Sequence, residues 1–286
     1  MSGIVTYLIL AHADAGHVRR LVAAVHPAPV VLHCDGRTDD AVYEGMVAGQ
    51  DTVIPVRRRP TPWGSWGAVT AELDGLRVAL QKTDCDHVVI LQGSDYPLQS
   101  NGVIERALGD LAGRSVTPMQ RLPRAAWSGH GGLDRLRYPH WVVRRHMVRL
   151  PVRRRIPPGV VPAGGSVNKI LSRAHAELIL DLDARRPDLA RFWRRTWNPD
   201  ETYVHSLLAT ALRSVPGADD VVAENLWFTD WGKLRQRSPE WLTDQHRDDV
   251  TRAARGMRPP ALFARKFASS PSSPLLDFID GELRAV

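Results

Sequence analysis

In the stretch Trp197-Asn-Pro-Asp-Glu-Thr-Tyr-Val-His-Ser-Leu-Leu, Glu201 offers a carboxylate that could take a proton from a hydroxyl or could simply close a helix. The structural use fits well. Asn198 suits an N-cap, Pro199 the first helical position and Glu201 the third, from which a carboxylate reaches back to the cap amide. Tyr203, Val204, Leu207, Leu208, Ala211 and Leu212 then recur at helical spacing, which predicts an amphipathic helix with a capping box. Other polar groups stand at the ends of apolar runs, where an open α/β sheet binds ligands: His12, Asp35 and the turn Gly93-Ser94-Asp95.

The elements that must position these groups alternate over the first hundred residues. "VTYLILAHA", "PVVLHCD", "DTVIPV" and "DHVVILQG" read as strands. Helical patterns lie between them at Ala15 to Val25, near Asp39 to Ala48, and from Ser65 to Gln81. Strands that are apolar throughout imply a mostly parallel sheet with helices on both faces, so the expected class is α/β. From Ser115 to Gly165 Pro, Gly and Arg dominate, and no long element is expected. Beyond it come a helix in "NKILSRAHAELILDL", a second containing Leu189 to Arg195, the segment around Glu201, an edge strand in "LWFTDW", then "ALFARKF" and a short helix at Leu275 to Leu283. No repeat or linker divides the chain. It is read as one domain, residues 1–286, in two halves at 1–112 and 113–286.

The 286 residues carry a formal charge of +7, almost all of it arginine, with lysine only at 82, 169, 233 and 266. Basic clusters at Arg57 to Arg59 and from Arg144 onward leave nucleic acid or an anionic polymer open as partners of a non-catalytic protein. Aromatics are not interleaved with these arginines as a single-strand platform needs, which disfavours that reading. Cys34 and Cys85 have no metal-ligand spacing, and with neither a leader nor a membrane-length apolar run the expectation is a cytoplasmic protein. No Walker loop, G-x-G-x-x-G or G-x-S-x-G is present, so the sheet must hold its ligand by other means.

The blocks "YLILAHADAGHVRRLVAAV", "VVLHCDGRT", "WGSWGAVTAELDGL", "VILQGSDYPLQSN", "GGSVNKILSRAHAELIL", "NPDETYVHSLL" and "LFARKF" together resemble the core-2/I-branching β-1,6-N-acetylglucosaminyltransferases, a group that includes peptide xylosyltransferases. The resemblance implies a GT-A-type fold and an inverting transferase that uses a UDP-sugar, with a nucleotide-sugar-binding half at 1–112 and an acceptor-binding, catalytic half at 113–286. N-acetylglucosamine is the first-choice sugar, with xylose and glucose open. Glu201 matches the family's catalytic base, with Asp200 a helix N-terminal charge and His205 a packing residue. Leu10, Ala11, Asp35 and Trp63 match positions around the nucleotide, and Asp95 the turn below the sugar. Most GT-A enzymes hold a metal with Asp-x-Asp after a strand. Here Asp84-Cys85-Asp86 precedes its strand, Asp181-Leu182-Asp183 lies on a helix, and the expected place reads Gly93-Ser94-Asp95. The resemblance therefore implies no essential metal, Lys266 and Arg237 supplying positive charge to the diphosphate. Trp231, and less directly Arg135 and Tyr138, are expected on the acceptor side.

Overall fold

In a computed structural model that describes residues 4–111, 113–143, 146–214, 221–232 and 238–285, the first hundred residues run β1 (Val5–Ala11), α1 (Ala15–Val25), β2 (Val30–Cys34), α2 (Asp40–Val47), β3 (Val53–Pro55), α3 (Trp66–Lys82) and β4 (His87–Gln92). The expected alternation is present, with boundaries close to those expected. The four strands pair in parallel, β1 lying between β2 and β4 and β3 beyond β2. β1, β2 and β4 are buried along almost their whole length because both faces are covered, whereas the edge strand β3 is only partly so. Tyr7 and Ile9 join the core under α1, and Leu8 joins the core under α3.

The middle of the chain is built of short pieces: β5 (Asp95–Pro97), α4 (Asn101–Gly109), β6 (Ser115–Val116), β7 (Gln120–Arg121), α5 (Ser128–Gly131), α6 (Leu133–Arg137), β8 (His140–Val143), β9 (His146–Arg149) and β10 (Ala163–Gly164). β11 (Lys169–Ser172) corrects one expectation: the start of the supposed helix in "NKILSRAHAELILDL" is a strand, antiparallel to β4. Its four residues are all buried, so their pattern shows neither helical nor alternating period, and Ser172 then caps α7 (Arg173–Arg185) by accepting from the His175 N–H.

After α8 (Pro187–Trp193) and α9 (Tyr203–Ser214), β12 (Val221–Val222) completes a seven-stranded sheet in the order β12-β6-β11-β4-β1-β2-β3. β13 (Trp227–Thr229), α10 (Arg247–Thr251), β14 (Phe263–Arg265) and α11 (Ser273–Phe278) follow. β14 lies between β13 and β5 in a second, three-stranded sheet, so "LWFTDW" does supply an edge strand. Among the described residues no helix is long and apolar enough to cross a membrane.

Candidate active site

Glu201 does not cap its helix. Asn198 takes a left-handed backbone, φ 44°, and its side chain makes no cap hydrogen bond. Pro199–Glu201 forms one 3-10 turn, and α9 starts only at Tyr203. The predicted capping box is therefore absent, because the left-handed residue turns the chain before the α-helix begins. The Glu201 carboxylate is consequently free to leave the backbone, and it accepts a charge-assisted hydrogen bond from Arg135 Nη1. Arg135, on α6, has its guanidinium carbon 4.1 Å from the Trp127 ring centre and 5.0 Å from that of Trp197. Two indole faces thus grip the cation that grips the carboxylate. The Glu201 side chain keeps 30% exposure against 15% for Arg135, so it can still meet a ligand.

Behind Glu201 the polar groups are sealed in. Asp200 is half-buried as a residue, yet its Oδ1 is shut from solvent without a hydrogen-bond partner. Burial first, then the neighbouring Glu201 charge, push its carboxyl from 3.8 up to about 7, with Lys169 acting in the opposite sense. It is not the simple helix-end charge expected. Lys169, on β11, donates to Glu72 of α3 at 2.9 Å, both side chains almost wholly buried. His205 is packed as expected: buried, with Nε2 3.2 Å from Thr117 Oγ1. Burial and the charges of Lys169 and Arg124 hold it well below 6.5, hence neutral.

The residues expected on the nucleotide side meet at the carboxyl ends of the strands. The Asp35 N–H donates to the Ala11 carbonyl at 2.8 Å, and the Gly93 N–H donates to the Leu10 carbonyl at 2.8 Å. Burial raises the Asp35 carboxyl, but hydrogen bonds from the Arg37 side chain and N–H and from Thr61 outweigh it and hold the group far below the usual range. The Thr61 bond, 3.2 Å, ties down the loop carrying Trp63, whose half-exposed ring meets Trp197 edge-on at 6.4 Å. That loop comes so close to α3 that a Cβ on Gly67 would strike the Pro60 carbonyl, which accounts for the last glycine of "WGSWG".

Asp95 shapes its turn from inside. Wholly buried, it accepts from the Gln92 N–H at 2.9 Å, Trp227 Nε1 at 3.3 Å, Arg265 Nη1 at 2.8 Å and Asn168 Nδ2. Arg265 also donates to Ser94 Oγ at 3.0 Å, which places the next residue, Lys266, beside the Gly93-Ser94-Asp95 turn. Lys266 Nζ donates to Ser238 Oγ at 2.8 Å and lies 4.3 Å from the Trp241 ring centre. Burial and Arg265 lower its pKa, with Glu240 opposing. Arg237 lies outside the described residues. Trp231 is 52% exposed, and Tyr138 stacks under Arg149 at 5.0 Å. No described interaction joins either to Glu201. Among the described residues no group of three His, Cys, Asp or Glu side chains is placed to hold a metal ion.

A profile of the Core-2/I-Branching enzyme family matches residues 5–254, most of the chain and all of this site except Arg265 and Lys266. The chain belongs to the core-2/I-branching enzyme family. It is 26% identical over 298 aligned residues to xylosyltransferase 2 of Pan troglodytes and of Homo sapiens, covering 98% of this chain and 33% of each relative. Xylosyltransferase 1 of Pan troglodytes is 27% identical over 295, covering 96% and 30%. The chain thus spans about a third of the length of the curated relatives it matches. HddC from Yersinia pseudotuberculosis aligns over 62% of this chain and 79% of its own at 10% identity, with a TM-score of 0.30, too distant to argue from.

The structure brings to the site groups that the sequence left without a role: Trp127, Trp197, Asn168 and the Glu72–Lys169 pair. One signal was available for Lys169. In a chain that uses arginine almost everywhere, two of the four lysines, Lys169 and Lys266, stand at this site.

Proposed function

We propose that this chain is an inverting, metal-independent glycosyltransferase that moves a sugar from a UDP-sugar to a hydroxyl of a glycan or glycosylated natural product. The observation that carries the reading is the placement of Glu201: released from capping, partly exposed, and set among Trp127, Trp197 and Arg135, a surface suited to stacking a sugar ring. In the reaction the acceptor oxygen attacks the anomeric carbon, the bond from that carbon to the diphosphate breaks, and the hydroxyl proton passes to Glu201. Arg135 must release the carboxylate as the acceptor enters.

Asp35, Ala11 and Leu10 form the nucleotide end, and Lys266, with Arg237, meets the departing diphosphate. Asp95, where a metal ligand would stand, is already filled by three side-chain donors, which supports charge neutralisation by cations. N-acetylglucosamine is the first-choice sugar, and the xylosyltransferase relatives make xylose the first competitor. A cytoplasmic location is part of the same proposal. Thermal-shift screening against UDP-sugars, followed by transfer and hydrolysis assays on Glu201→Gln, tests it. Activity should fall at least a thousandfold with UDP affinity kept; wild-type turnover in that variant would sink the assignment. Activity that EDTA removes and manganese restores would sink the metal-independent part.

A further inference from the structure

A cavity of about 500 Å³ is walled by Arg137, Arg153, Arg154, Arg155 and Ile156. Its wall holds four cations and no acid. Elsewhere in the chain arginines find carboxylates, as in Arg20–Asp280, Arg59–Asp74, Arg77–Asp183 and Arg186–Asp188. Among the described residues none of these four does, and Arg137, Arg153 and Arg155 make no side-chain hydrogen bond.

Arg154 is built in rather than loose. Its guanidinium donates to the carbonyls of Leu136 at 2.8 Å, Phe192 at 2.8 Å and Arg195 at 3.0 Å, and to Thr196 Oγ1 at 2.8 Å. It also lies 3.8 Å over the Phe192 ring. Every one of these acceptors is neutral, so the charge is fixed in position without being compensated. Burial lowers the Arg154 pKa to about 10, which leaves it cationic at neutral pH. Gathering like charges costs self-repulsion that only an anion relieves, and several guanidinium forks around one hollow match the oxygens of a phosphate.

We propose that this cavity binds a phosphate or diphosphate group other than the donor's own. The short helix α6 carries Arg137 into the cavity wall and Arg135 to Glu201, so an anchored phosphate lies within one helix of the base. If the transferase reading holds, the acceptor is a saccharide bearing phosphate or diphosphate; the binding itself does not rest on that reading. The phosphate can come from a soluble sugar phosphate or from a lipid headgroup. Val148, Leu150 and Val152, 40 to 63% exposed along the chain leading to Arg153, would face the apolar part of the latter.

The test is calorimetric titration of the whole chain with inorganic pyrophosphate, with UDP added to occupy a donor site, compared with Arg153→Ala/Arg155→Ala. Both residues are exposed and free of described side-chain contacts, so the variant should keep the parent melting temperature and UDP affinity. Saturable pyrophosphate binding weakened at least tenfold in the variant is the expected result. Equal affinity in the two proteins, or no saturable binding to either probe, overturns the site. Sedimentation with phosphatidylcholine vesicles, with and without phosphatidic acid, separates the sources. Capture by the phosphatidic acid vesicles alone, lost in the variant, assigns a lipid headgroup; pyrophosphate binding without vesicle capture assigns a soluble phosphate. A chain that fails to bind UDP refutes the donor reading while the pyrophosphate titration still reports on the arginines.

Discussion

Replacing Asp200 by asparagine should stabilise the protein at alkaline pH and leave it unchanged in acid. The Asp200 carboxyl holds its proton up to about pH 7, against an ordinary 3.8. A difference of about three pH units corresponds to ~4 kcal/mol of cost for ionising the group in place. Because the residue is partly exposed, solvent screening reduces this to ~1–2 kcal/mol. The sign follows from proton binding. The folded chain holds the proton more tightly than the unfolded one, so stability falls as pH rises: no cost below pH ~4, growth between ~4 and about 7, and the full cost above. Asparagine never ionises. Urea denaturation at pH 4.5 and 8.5 should therefore show similar midpoints for parent and variant at the lower pH, and a variant ahead by ~1–2 kcal/mol at the higher. An equal difference at both pH values would refute the reasoning, since it would place the effect in packing and not in ionisation.

Glu72→Gln leaves the Lys169 ammonium buried without its partner, and should cost ~3–5 kcal/mol in chemical denaturation, whereas Glu72→Gln with Lys169→Met should recover at least half. Lys266→Ala should weaken UDP binding roughly tenfold in calorimetry, the loss of one charge-assisted contact, while leaving the unfolding midpoint within ~0.5 kcal/mol. Arg135→Ala frees Glu201 and removes the cation between two indoles, so it should cost ~1–3 kcal/mol of stability. In donor assays the same variant should raise the share of UDP-sugar lost to water relative to transfer; an unchanged share would mean that Arg135 does not hold the base idle.

The strands and helices up to Gln92 were legible because apolar runs and helical stripes there answer to one buried sheet. The segment from Ser115 to Gly165 was not, since β6, β7 and β10 are two residues each and owe their form to distant partners, β6 to β11 and β12 and β7 and β10 to each other. The Glu201 turn was misread in geometry for a local reason: Asn198 favours both an N-cap and a left-handed backbone, and only its surroundings choose. Asp35 was legible as a strand-end group, whereas Ala11 and Trp63 were pointed to only by the family resemblance. The grip on Arg135 joins Trp127, 8 residues before it, to Trp197, 62 residues after it, and no spacing rule reaches that far.

Asp95 gathers its donors from far along the chain: Asn168 is 73 residues away, Trp227 132 and Arg265 170. During synthesis at about 5–20 residues per second, roughly ten to thirty seconds separate the appearance of this carboxylate from that of its guanidinium partner. The early β-α alternation therefore emerges as a half-finished assembly, its inner edge still wet and two strands short of its second sheet. The last strand, β14, closes it late, so β5 waits for residues 263–265 before its second sheet can form.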